Sequence, residues 1–234
     1  MLGVMDRHMP EAPEAAAAPD RSEASRRLVA AALRAFGERG YKGASTRSIA
    51  AQAGVNIAAI PYYFGSKQGL YQAVADHIAE EIMSRMGDAL AEAGRLADDT
   101  GATDEQLRAT LLALADRFVL LMVGSREASV WARFIVREQF EPSEAFDVLY
   151  EKIMGRAYAV LGRLLARLLG LPPDSQEAKL RVFPVIGQVL IFRLARPAVL
   201  RRMEWDGYSA EHLDVIRRVV RHHIEAILAS GRLA

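Results

Sequence analysis

The run Thr46–Phe64, TRSIAAQAGVNIAAIPYYF, has the residue types and spacing of two short helices joined by a tight turn, an arrangement suited to non-covalent recognition. Two short helices crossing at a steep angle need a very small side chain where they touch, and Ala50 supplies it. Four positions on, the turn needs a residue that tolerates positive φ, and Gly54 stands there. Apolar residues must fill the wedge between the helices, and Ile49, Ala53, Val55 and Ile60 fall at the offsets that do so. Together these positions predict a helix-turn-helix. Covalent chemistry has no comparable support. The chain has no cysteine, which excludes a thiolate nucleophile, thiolate metal sites and a disulfide framework. Gly37-x-x-Gly40-x-x-Gly43 lacks the spacing and the preceding strand of a phosphate-binding loop, and His222-His223 point to different faces of a helix. No catalytic group, metal or cofactor is expected.

The elements that must position this run are helical. Of 234 residues, 51% are hydrophobic and 25% charged, enough for a small domain joined to a larger one. The formal net charge is only +1. Residues 21–80 nevertheless hold eight Lys and Arg against four Asp and Glu, the local surplus a phosphate-binding head needs. No apolar run is long enough to span a membrane. Residues 1–20, rich in Pro and Ala and acidic, read as a disordered tail without the apolar core of a signal peptide. Absence of cysteine suits a reducing cytoplasm.

Apolar spacing closes a first helix near Gly37 and Gly40, starts a short second at Ser45 or Thr46, and lets Asn56 cap a third. Ser66 caps a fourth that runs towards Leu96. Longer helices follow over 104–123, 126–140, 143–169, 176–203 and 209–230, the fourth of these perturbed at Pro184 and Pro197. The fold expected is all-α: a three-helix helix-turn-helix domain over 21–66, then a domain of about six helices over 67–234.

The stretch Ala32–Tyr71, with G-Y-x-G-x-S-T-R-x-I-A-x-x-A-G-V-N and Tyr63-Phe64-Gly65-Ser66-Lys67 closing it, resembles the DNA-binding domain of TetR-family regulators. Val136 to Phe146, VREQFEPSEAF, with Gly187-Gln188-x-x-x-Phe192-Arg193, is similar to the CecR-like branch. The resemblance implies phosphate contacts at Thr46, Tyr63 and Lys67, with Arg47 adding charge beside them. Base reading then falls to Asn56, Ile57, Ala58, Pro61 and Tyr62, a face without Arg, Lys or Gln. Thymine-methyl contacts and DNA shape must therefore carry much of the specificity. Pro61 deletes the bond its N–H would give to the Ile57 carbonyl and is expected to bend this helix.

The resemblance further implies a homodimer on a palindromic operator and a body that binds a small-molecule effector. Leu213, Ile216, Val219, Val220, Ile224, Ile227 and Leu228, with Val189, Leu190, Leu194 and Leu200, are compatible with a dimer interface. Mixed aromatic and polar positions nominate Phe118, Met122, Trp131, Phe134, Arg137, Phe183, Gln188 and Phe192 as the effector pocket; Arg137 and Glu138 could instead form an ion pair. The expected function is repression relieved when an effector shifts the fourth helix. The rival is a dimeric small-molecule-binding protein whose head no longer binds DNA, which Pro61 and the donor-poor face would favour.

Overall fold

The computed structural model describes residues 21–231, so the expected acidic tail over 1–20 lies outside the described residues. Eleven α-helices and no strand make up the described chain: α1 (Arg21–Gly43), α2 (Thr46–Ala53), α3 (Ala59–Phe64), α4 (Lys67–Asp98), α5 (Asp104–Val119), α6 (Ala128–Phe140), α7 (Glu144–Leu149), α8 (Gly155–Leu169), α9 (Gln176–Leu194), α10 (Arg196–Met203) and α11 (Ala210–Ala229). Two π-helical turns, Leu120–Gly124 and Tyr150–Met154, extend α5 and join α7 to α8.

Hydroxyl caps start most of these helices. Ser45, Ser66, Ser143 and Ser175 accept backbone N–H bonds from Ser48, Gly69, Ala145 and Ala178 at 3.0–3.2 Å. Thr103 with Gln106, and Ser209 with His212, complete reciprocal capping boxes. In the second box the imidazole Nδ1 does the work of a Glu carboxylate.

The first helix breaks at Gly40, at φ 71° and ψ 175°, as expected, and a further helical turn runs on to Gly43. Two expectations are corrected. Pro184 does not interrupt α9; the break falls at Ala195, where α9 and α10 bend by 72°, and Pro197 sits in the first turn of α10, where no N–H is missed. Finally, Ile216, Val220, Ile224, Leu228 and Val189 are buried within the subunit and cannot serve a second copy. No single helix among the described residues is long and apolar enough to cross a membrane, and the apolar pair α9–α10 carries that bend.

Helix α4 is the spine, packed against α1, α3, α5, α7 and α8, while α1 lies along α6 and α11 along α5. The buried core is one continuous cluster from Leu28 in α1 to Leu228 in α11. Charged side chains close it where helix ends leave carbonyls unpaired. Arg167 of α8 donates to the carbonyls of Leu96, Ala97, Asp99 and Ala102 at 2.5–3.1 Å, sealing the α4–α5 corner. Arg193 of α9 donates to those of Met122, Val123 and Ser125 at 2.5–3.0 Å, sealing the end of the first π turn. Asp116 accepts from Arg217 at 3.0 Å and Arg221 at 2.7 Å, tying α11 to α5.

Candidate nucleic-acid interface and the cavities behind it

The recognition surface is built from two capped helix starts and one short helix between them. Ala50 and Ile49 are buried where α2 meets its neighbours. Gly54 turns the chain in the left-handed region at φ 64° and ψ 37°, and Val55 N–H returns to the Ala50 carbonyl at 3.1 Å. Asn56 does not cap α3, whose N-cap is Ala58 without a side-chain bond; its Oδ1 instead accepts from Ala58 N–H at 2.9 Å in the turn that precedes the helix, and its amide NH₂ is left for a base edge.

Pro61 does not bend α3. The first bonds there are i to i+3: Ala59 N–H to Asn56 at 2.9 Å and Ile60 N–H to Ile57 at 3.1 Å. The Ile57 carbonyl therefore keeps a partner, and Pro61 occupies the first turn of a helix that begins at Ala59. Asn56, Ile57, Ala58, Pro61 and Tyr62 are all exposed, with Ile60 buried beneath them. Two of them present unusual apolar surface, Ile57 at 46% and Tyr62 at 65% exposure.

The expected phosphate-binding residues flank this face. Thr46 is the first residue of α2, half-buried behind the Ser45 cap, and Arg47 is exposed beside it. Tyr63 is half-buried, edge-on to Tyr62 at 4.9 Å. Lys67 opens α4 with its Nζ 4.5 Å from the centre of the Tyr41 ring; burial lowers its ammonium from the ordinary value. Two residues on, Gly69 has no room for a side chain, because a Cβ would stand 2.0 Å from the Phe64 carbonyl oxygen. That close approach, which the residue pattern did not disclose, fixes where α3 ends against α4.

Behind Lys67 a buried polar junction joins α4 to the α6–α7 corner. Tyr71 OH donates to Glu138 Oε1 at 2.6 Å, and Ser143 donates its N–H and Oγ–H to Oε2 at 3.1 and 2.7 Å. The Tyr71 ring packs against Phe36, Tyr41 and Phe134 at 4.7–5.1 Å. Burial, then the hydrogen bond to Glu138 and its charge, push the Tyr71 phenol far above its ordinary value, so it remains a donor. Tyr71→Phe removes one of three donors from a buried carboxylate and should cost about 2 kcal/mol. Urea unfolding followed by circular dichroism checks this; a midpoint equal to the wild type would show that Glu138 does not depend on the bond.

The eight residues expected to line one pocket do not converge. Only Phe118 borders the apolar cavity of about 80 Å³ enclosed by α4, α5, α8 and α9, whose walls include Ile82, Met86, Leu111, Ile153, Leu161 and Val189 and no polar side chain. Met122 is buried in the π turn with its carbonyl held by Arg193. Trp131 is buried under the Arg85 guanidinium, and Phe134 packs on Tyr71. Arg137 faces a different cleft, Phe183 is 53% exposed on α9, and the half-buried Phe192 gives its carbonyl to Tyr208 at 2.6 Å. Gln188 buries its Nε2 with no hydrogen-bond partner among the described residues. Helical spacing says that a residue faces inward; it does not say which of several interiors it meets. Arg137 and Glu138 form no ion pair either, Glu138 being held by Tyr71 and Ser143.

Comparison with known proteins agrees with this architecture. Residues 28–74 match the model of bacterial regulatory proteins of the tetR family, and residues 107–231 match the C-terminal domain of the HTH-type transcriptional dual regulator CecR. The chain is 36% identical over 206 residues to the HTH-type transcriptional dual regulator CecR of Shigella flexneri, covering 88% of this chain and 92% of that one. Among solved structures, a transcriptional regulator from Pseudomonas aeruginosa PAO1 has a TM-score of 0.62 at 17% identity, covering 90% and 92% of the two chains. AibR, crystallised with isovaleryl coenzyme A and operator DNA, has a TM-score of 0.56 at 16% identity, covering 89% and 97%. With a head that presents a helix-turn-helix, and a body that matches CecR along most of its length, the chain belongs to the TetR family of bacterial transcriptional regulators, in the branch of CecR.

Proposed function

We propose that the protein is a cytoplasmic, homodimeric repressor that binds a palindromic operator and is released by an apolar small-molecule effector. The observation that carries this reading is the reach of α4. It begins at Lys67, beside the exposed face of α3, and its residues Ile82, Met86 and Leu90 wall the apolar cavity. One rigid element thus touches both sites. The same fold in AibR holds a coenzyme A thioester and operator DNA, which supports a coupled pair of sites here.

The cavity's chemistry narrows the effector to an uncharged, apolar molecule or group, since no wall residue could pair with a charge. Drug-sized ligands occupy roughly 300–1,000 Å³, so the 80 Å³ cavity must widen to admit one. Widening moves α4 against α8 and α9, and with it the spacing of the two recognition helices. Release follows only to the extent that the effector prefers the widened state.

Dimerisation is proposed through α9 and α11. Leu180, Phe183, Pro184, Gly187, Ile191 and Leu194 recur every three or four residues on α9, all apolar and all exposed. Val215 and Val219 of α11 extend the patch. Phosphate contacts are assigned to Thr46, Arg47, Tyr63 and Lys67, and base reading to Asn56, Ile57, Ala58, Pro61 and Tyr62. The rival, a head unable to bind DNA, loses its main support once Pro61 is seated in a first turn.

Selection of bound sequences from a random duplex pool, with a salt titration on the winner, tests the proposal. A palindrome with a steep salt slope is expected; an unenriched pool would overturn it. Lys67→Ala should then weaken every sequence alike and make the slope shallower by about one unit. A changed sequence preference with an unchanged slope would remove Lys67 from the phosphate contacts.

A further inference from the structure

A recess beside the head carries charged side chains on its walls, unlike the effector cavity. A cleft of about 400 Å³ lies between the end of α1, the start of α4 and the α6–α7 corner. Arg39 and Lys42 border it from α1, and Arg137 from α6. None of the three enters a salt bridge among the described residues. Two carboxylates on the opposite walls are already engaged. Glu138 is held by Tyr71 and Ser143, and Glu144 accepts from the side-chain amides of Gln68 and Gln72. The remaining carboxylate at the cleft, Glu141, is exposed.

Arg137 is held in an uncommon way. Its guanidinium packs closely against Gly40: a Cβ there would meet Nη1 at 2.7 Å, Cζ at 2.9 Å and Nε at 3.2 Å. A glycine at positive φ gives this approach its room. The guanidinium's Nε is buried and has no hydrogen-bond partner among the described residues. An orphaned, buried donor on a permanent cation that is half-exposed overall is an unpaired charge awaiting an acceptor. The edge of a guanidinium offers two parallel N–H groups, the geometry of a carboxylate or a phosphate.

We propose that this cleft is a second small-molecule site, separate from the apolar cavity, and that it binds an organic acid or phosphate ester through Arg137, with Arg39 and Lys42 adding charge. Its walls come from both head and body, so an occupant braces α1 against α6. The site needs no DNA and no apolar effector, and it stands or falls independently of the operator-binding reading.

The test uses the full chain without DNA. Calorimetric titration and thermal unfolding are run with inorganic phosphate, pyrophosphate, acetate and benzoate, against sodium chloride at equal ionic strength. Saturable binding and a raised Tm with at least one of the four anions are expected. Preference for pyrophosphate identifies a phosphate ester as the natural ligand, and preference for benzoate an organic acid. Arg137→Gln should weaken the binding at least about tenfold, the loss of a charged bidentate contact. Should that variant fail to fold, Arg39→Gln combined with Lys42→Gln changes two exposed residues and should weaken binding several-fold. If all four anions behave as chloride does, or if Arg137→Gln or the double variant binds like the wild type, the proposal is overturned.

Discussion

A chain carrying Ile191→Glu together with Val219→Glu is expected to sediment as a monomer and to bind the selected palindrome at least about 100-fold more weakly than the wild type. The argument rests on the outward face of α9. Leu180, Phe183, Ile191 and Leu194 are between 51% and 65% exposed, in a stripe that the other described elements leave largely open, Phe183 alone meeting the Tyr158 ring of α8 at 5.3 Å. Apolar side chains grouped in this way support the proposed dimer interface. In a two-fold arrangement each glutamate would be buried close to its own copy, unpaired and facing like charge. Both positions are exposed in the single chain, so the variant should keep its helicity and thermal unfolding should remain cooperative. Analytical ultracentrifugation decides the matter. A double variant that stays dimeric would move the interface away from α9 and α11.

The second large effect concerns stability. Arg167→Met is expected to cost about 3 kcal/mol and to lower Tm by roughly 6–12 °C for a chain of this size. Methionine keeps the aliphatic stem within the core but removes every donor. Four carbonyls at the α4–α5 corner, those of Leu96, Ala97, Asp99 and Ala102, then lose their shared partner. Because α4 joins the two proposed sites, the same variant should also loosen the end of the helix furthest from Lys67. Scanning fluorimetry suffices as the check. A fall below about 2 °C would mean that water replaces the guanidinium without loss.

Much of the head is readable from residue types, because local stereochemistry dictates it. Gly54 must turn left-handed, Ser45 and Ser66 must cap, and Ala50 must be small; no distant residue is needed to deduce any of these. Helix boundaries in the body follow for the same reason, from Thr103, Ser143, Ser175 and Ser209. What escapes the sequence depends on partners far along the chain. Arg167 and Arg193 read as ordinary basic residues on amphipathic helices, and only the fold shows the carbonyls they close. Pro184 reads as a breaker, yet it falls on the uncovered face of α9, where the carbonyl it leaves unpaired can meet water. Pro61 reads as disruptive if Asn56 caps α3; the i to i+3 bonds put the start of the helix at Ala59 and remove the conflict. Nor does inward periodicity locate a pocket. Phe118, Trp131 and Phe134 share an inward periodicity but meet the cavity, Arg85 and Tyr71 respectively.

The unbroken core has a bearing on how such a molecule can be re-engineered. Biosensor chimaeras are commonly imagined as one protein's reading head grafted onto another's sensor, with the splice at the start of the long spine helix. Here a cut at residue 66 would sever Tyr71 from Phe36 and Tyr41, and would part α1 from α6 and Gly40 from Arg137. A transplantable unit has to carry the first two turns of α4 and the α6–α7 corner along with α1–α3. Its seam is therefore a surface running through three helices, and no single peptide bond marks it.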